Sequence, residues 1–142
     1  MDSLKYILDK FKVHGQKSPI KLPIDKYRGL PGLFSELGYK VGVEIGVNKG
    51  RFSKWICYKM RRSKPKLFLV DPYKSYKEYS EYLDQNLMDS IYAQAQARLK
   101  PFNCEFVKKF SMDAVKDFKD NSLDFVYIDG NHAFEFVVND IV

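Results

Sequence analysis

Apolar positions along this chain repeat with two periods, one helical and one extended. Leu4, Leu8 and Phe11 recur at i, i+4 and i+7, which predicts a helix over residues 2–13 that Gly15 stops. Residues 14–27 carry two prolines and read as a connector. Leu30-Pro31 and Leu33-Phe34 open a second short helix that Gly38 ends. Beyond residue 40, short apolar runs alternate with helical patterns. Val41–Ile45, Lys66–Val70, a run around Phe106-Val107, and Leu123–Ile128 read as strands. Between them, helices are predicted from Arg51 to about Arg61, with Phe52, Trp55, Ile56 and Met60 on one side, from about 84 to 99, and from a capping Ser111 to about Phe118. Phe134, Val137, Val138 and Ile141 mark a final amphipathic helix.

Four buried-type strands alternating with helices predict an α/β fold: a parallel sheet with helices on both faces and right-handed crossovers. Ligands of such sheets bind beyond the carboxyl ends of the strands. That rule singles out Glu44–Gly50, Asp71–Tyr73, Ser111–Asp113 and Asp129–His132, where polar residues and glycines interrupt the apolar runs.

Composition narrows the classes. A chain of 142 residues suits one domain with a sizeable core. Its 45% hydrophobic and 30% charged residues are ordinary for a globular protein. No apolar run approaches the ~18 residues of a membrane span, and the N-terminus shows no signal-peptide pattern. Cys57 and Cys104 are too few for a disulfide framework and lack metal spacing, so they read as packed thiols of a cytoplasmic protein. The net charge of +6 allows an anionic partner without requiring one.

The first strand end reads Val-Gly-Val-Glu44-Ile-Gly46-Val47-Asn48-Lys-Gly50. A glycine turn between strand and helix lets backbone N–H groups approach a ligand closely. The spacing is Glu-x-Gly-x-x-x-Gly rather than the Gly-x-Gly-x-x-Gly of a pyrophosphate-binding turn. A carboxylate there suits a cationic ligand and repels a pyrophosphate, so a nicotinamide dehydrogenase is disfavoured. Asp71 closes the next strand, where a carboxylate can accept two hydrogen bonds from vicinal ribose hydroxyls.

VEIGVNKGRFS, FLVDPY and VYIDGNHAFEFVVNDI together resemble the class I S-adenosylmethionine-dependent methyltransferases, in particular methyltransferase family 24, which is similar to the macrolide-sugar O-methyltransferases. The resemblance spans about residues 28–142, with 1–27 as an N-terminal helix and connector. It implies a Rossmann-like fold. It also implies that Glu44, Gly46 and Gly50 line the methionine part of S-adenosylmethionine and that Asp71 holds its ribose. Ser111 and Met112 would lie near the adenine, and Val47, Asn48 and Pro72 would complete the cofactor-binding set. It implies methylation of a hydroxyl on a small molecule or glycan, with His132 as general base and Asp129 on a magnesium ion; a carboxylate in that place could instead orient the imidazole. A complete domain of this class has about seven strands. Four are countable here and the last helix has no C-cap, so the reading is a sheet truncated after its fourth strand.

Plainer readings stand beside each assignment. Glu44 could be an acid at a helix N-terminus, Asp71 a turn-initiating Asp-Pro, Ser111 a helix cap, and Asp129-Gly130 a turn with His132 capping the helix. His14 reads as a surface histidine. Residues 49–66 hold eight cations and no acid, either a polyanion patch or a solvated helix end. Tyr73, Tyr76, Tyr79 and Tyr82 could form a lid or pack as a connector. Two rival functions follow: a cofactor-binding module without catalysis, able to oligomerise through an open sheet edge, and an RNA methyltransferase using the basic stretch.

Overall fold

The structure, a computed structural model, describes residues 2–78 and 84–142. Helix α1 (Ser3–Phe11) is capped by Asp2, whose carboxylate accepts from the Lys5 N–H at 3.0 Å. It ends earlier than predicted because Lys12 turns left-handed (φ 53°) ahead of Gly15. Helix α2 (Leu30–Glu36) follows. The alternating part runs β1 (Val41–Ile45), α3 (Arg51–Lys59), β2 (Lys66–Val70), α4 (Gln85–Leu99), β3 (Cys104–Val107), α5 (Ser111–Ala114), β4 (Phe125–Ile128) and α6 (Phe134–Ile141). Tyr79 and Tyr82 lie outside the described residues.

The four strands form one parallel sheet in the order β3-β2-β1-β4. The order reverses between β1 and β4, the place where a doubly wound sheet opens a crevice. Side chains of β2 alternate as a half-turn per residue requires. Leu67 and Leu69 join a core with Phe52, Ile56 and Met60 beneath α3 and with Met88, Ile91, Ala95 and Leu99 of α4. Phe68 and Val70 face the other way, towards Val43, Ala114 and Phe118. The sheet is therefore covered on both faces, as the alternation predicts.

Gly42 shows how packing selects a residue inside a strand. A Cβ there would stand 2.1 Å from the Phe125 ring, which lies flat on Phe34 at 4.1 Å between centroids.

Three local expectations change. Strand β4 begins at Phe125 rather than Leu123, because Asp124 turns its carboxylate to the Lys40 and Val41 N–H groups (2.7 and 2.9 Å) and ties the entry of β4 to that of β1. The helix after Ser111 is only four residues before a 3-10 turn over Val115–Asp117. Trp55 is 40% exposed, not on the buried side of α3; Phe52, Ser53, Ile56 and Cys57 fill that side. The two thiols meet, Cys57 Sγ to Cys104 Sγ at 3.6 Å, both free. The outer edge of β4 and one side of α6 stay uncovered, with Val126 and Phe134 exposed. No helix among the described residues is long and apolar enough to cross a membrane.

Candidate functional site

A cleft of about 710 Å³ opens above the carboxyl ends of the strands. Glu44, Gly46, Val47, Asn48, Asp71, Pro72, Ser111, Asp129 and His132, all singled out from the sequence, line it. Two predicted residues do not. Gly50 caps α3 and faces the Leu99 side chain. Met112 is 49% exposed and lies outside the lining, because the short α5 aims it to solvent. Ser111 lines the cleft without capping its helix; the N-cap position falls on Phe110.

Gly46 lies in the seam between the ends of β2 and β4. Its N–H donates to the Val70 carbonyl at 2.9 Å, its φ is +84°, and a Cβ would meet the Asp129 carbonyl oxygen at 2.2 Å. Only glycine satisfies both the left-handed backbone and that approach. The turn after it is held from β2. Asp71 Oδ2 accepts from the Val47 and Asn48 N–H groups, both at 3.0 Å, and Oδ1 accepts from the Tyr73 N–H at 2.9 Å. Tyr73, wholly buried, donates its hydroxyl to the Asn48 carbonyl at 2.9 Å. Arg98 of α4 donates to the Lys49 carbonyl. The turn is thus pre-organised by side chains from the two neighbouring segments.

Glu44 points from β1 under this turn and is 1% exposed. Its Oε2 accepts from the Ser53 hydroxyl at 2.6 Å. Burial pushes its carboxyl up to about 8; the Ser53 bond and the Lys26 charge offset only part of this, and the Asp129 charge adds to it. The carboxyl is therefore mostly protonated near pH 7. Burial also raises the Asp71 carboxyl above the ordinary carboxylate range, and its three backbone N–H donors offset only part of that.

At the end of β4 the sequence expectation meets a residue it did not single out. Lys26, from the connector, donates its ammonium to Asp129 Oδ2. The same ammonium lies 5.0 Å from the Phe52 ring centre, 5.2 Å from Tyr127 and 5.7 Å from Tyr27. Burial opposes its charge, but the bonds to Asp129 and Tyr127 outweigh it and hold the lysine protonated. His132 Nε2 stands 3.5 Å from Asp129 Oδ1, and its side chain is 81% exposed at the mouth of the cleft. The far wall is aromatic: Tyr76 stands edge-on to Phe110 at 5.3 Å and 5.8 Å from Phe136.

The expected magnesium ligand does not fit this arrangement. Asp129 is engaged by an ammonium, and no group of three or more His, Cys, Asp or Glu side chains among the described residues could hold a metal ion. Lys26 had no local signal, since its partner is 103 residues away. Tyr76 was visible as part of the tyrosine repeat, but Phe110 and Phe136 were not, because their shared wall exists only once β3 and α6 are assembled. His14 lies on the surface as expected, bonded to Asp9 at 2.7 Å.

No curated protein sequence matches the chain. Among solved structures, cofactor-bound Rv0187 from MTB aligns over 99% of this chain and 60% of its own, with a TM-score of 0.55 and 13% identity. The SAH-bound methyltransferase PaMTH1 of Podospora anserina aligns over 99% and 56%, at 0.55 and 13%. The O-methyltransferase TomG from Streptomyces achromogenes, in complex with SAM, aligns over 99% and 60%, at 0.51 and 16%. These likenesses establish the shared fold, and the chain spans under two thirds of the length of each. The sequence profile of a family described as a methyltransferase domain matches residues 43–142. By that match across most of its length, with the acid-flanked glycine turn inside the matched region, the chain belongs to the methyltransferase-domain family, methyltransferase family 24.

Proposed function

We propose that the cleft binds S-adenosylmethionine and that the protein transfers its methyl group to a hydroxyl of a small molecule or glycan. The observation that carries this reading is the pair of acids, Glu44 and Asp71, at the ends of adjacent strands on either side of the Gly46 turn and facing one cleft. The cradle fits an adenosyl amino acid: a Cβ-free turn, a buried acid for cationic groups, and an aromatic wall for a purine.

When bound, the cofactor supplies an electrophilic methyl group on a positively charged sulfur. The chain's own residues supply the rest. Glu44 meets the cationic end and, losing its proton there, becomes the counter-charge. Asp71 holds the turn through three backbone bonds, which leaves one acceptor site, on Oδ1, for a ribose hydroxyl. Ser111, with Phe110 and Tyr76, borders the space left for the base. His132, at the mouth, accepts the acceptor hydroxyl's proton, and Asp129 orients the imidazole.

Calorimetric titration with S-adenosylhomocysteine tests the donor site; a well-folded sample that gives no heat removes the claim. Methyl transfer is tested separately, and His132→Ala is expected to slow it by about 100-fold. A module that binds the cofactor without catalysis is the second reading. It is favoured by the 81% exposure of His132 and would show as binding without turnover on any acceptor.

A further inference from the structure

Beside the donor cleft, on the outer side of α3, lies a second groove of about 520 Å³. It is lined by Tyr27, Arg28, Arg51, Lys54, Trp55 and Arg98. Four cations here converge with two aromatic rings. Among the described residues no carboxylate forms an ion pair with any of the four, and residues 49–66 contain no acid. Trp55 and Tyr27 are 40% and 43% exposed in this setting. Arg98 is held in place by its bond to the Lys49 carbonyl.

Tyr27 and Arg51 line both the groove and the donor cleft, so the two spaces adjoin across these side chains. A ligand seated in the groove would border the donor cleft at Tyr27 and Arg51.

We propose that this groove is the acceptor subsite and that the acceptor carries phosphate groups joined to a planar ring, as a nucleoside diphosphate conjugate does. This rests on the methyl-transfer reading above and names its substrate class. Guanidinium groups match phosphate oxygens in bidentate geometry, and an exposed indole offers a stacking face. A solvated helix face would account for the cations of α3 alone; here Tyr27 and Arg28, ahead of α2, and Arg98 of α4 converge with Arg51, Lys54 and Trp55 on one groove. A long single strand of nucleic acid would need a track of such positions. Lys59 and Arg61 instead sit over the rings of Trp55 and Tyr58, at 5.6 and 4.7 Å, and do not line the groove.

Trp55 is the only tryptophan in the chain, so its fluorescence reports from the groove alone. The protein is titrated with uridine diphosphate, inorganic pyrophosphate and a short oligouridylate, with and without saturating S-adenosylhomocysteine. Saturable quenching by uridine diphosphate is expected, at least about tenfold tighter than pyrophosphate. Arg28→Glu and Lys54→Glu should each weaken it at least about tenfold and leave S-adenosylhomocysteine affinity unchanged. Trp55→Leu, followed by calorimetry, should weaken uridine diphosphate but not S-adenosylhomocysteine. No quenching, equal binding of pyrophosphate, or insensitivity to both charge reversals overturns the proposal. Oligouridylate binding far tighter than uridine diphosphate also overturns it, in favour of a nucleic-acid surface. Absence of S-adenosylhomocysteine binding would overturn the donor reading and with it the acceptor role; loss of the uridine diphosphate response alone overturns only the groove.

Discussion

Glu44 offers the sharpest test, because its burial and its proposed role pull in opposite directions. The carboxyl is 1% exposed with one hydroxyl donor, and its folded value of about 8 lies well above the ordinary 4.5. Between those two values the folded chain keeps a proton that the unfolded chain has released. The sign follows: this contribution to stability is fully present below the unfolded value and is lost as pH rises through the folded one. Each pH unit in that window costs about 1.4 kcal/mol, so going from about pH 5 to about pH 7.5 should cost about 3 kcal/mol. For a domain of this size that is on the order of 10 °C in Tm. Glu44→Gln keeps the shape and an acceptor for Ser53 but cannot ionise. Its Tm should exceed the parent's by a margin that grows through this window and levels off above about pH 8. The same substitution should weaken S-adenosylhomocysteine binding about tenfold and flatten its dependence on pH, whereas the parent should bind more tightly as pH rises towards 8. Thermal scans of parent and variant at a series of pH values decide the matter. Parallel curves would mean that Glu44 is already charged in the folded chain without added ligand, and the reasoning would fail.

Gly46→Ala forces a Cβ to 2.2 Å from the Asp129 carbonyl oxygen at a φ of +84°; a loss of about 3 kcal/mol or more is expected by denaturant titration, and a loss within 1 kcal/mol would show that the seam is loose. Asp71→Asn removes the charge that three backbone N–H groups share, so stability should fall by about 2 kcal/mol and S-adenosylhomocysteine affinity at least about tenfold; unchanged affinity would remove Asp71 from the site. Lys26→Met unties the connector from Asp129. Limited proteolysis within residues 14–27 should speed up several-fold while Tm moves by no more than about 3 °C, as suits a half-exposed pair; an unchanged cleavage rate would show that the pair does not hold the connector.

Much of the fold was legible because its signals are local. The bounds of β1 and β2 agree with the sequence reading to the residue, since a short apolar run bounded by polar residues and glycine has few other uses. Entry to β4 lies two residues beyond the start of its apolar run, because Asp124 answers to backbone groups of another strand. Trp55 departs from the periodicity of α3 for a related reason: its hydrophobicity is a property of the residue, but the stripe that meets the sheet passes through Ser53 and Cys57 instead.

What the chain's linear pattern determined was the alternation of strand and helix, and hence that Glu44, Gly46, Asp71 and Asp129 stand at strand ends on one side of a parallel sheet. That follows from periodicity, which neighbouring residues carry among themselves. Tertiary structure decided what each of those groups is. It pushed Glu44 towards its neutral form by removing water, made Asp71 the anchor of a turn from the neighbouring strand, and gave Asp129 an ammonium from 103 residues away. Ionisation and pairing depend on solvent access and on distances in space, and neither quantity exists until the chain has closed on itself.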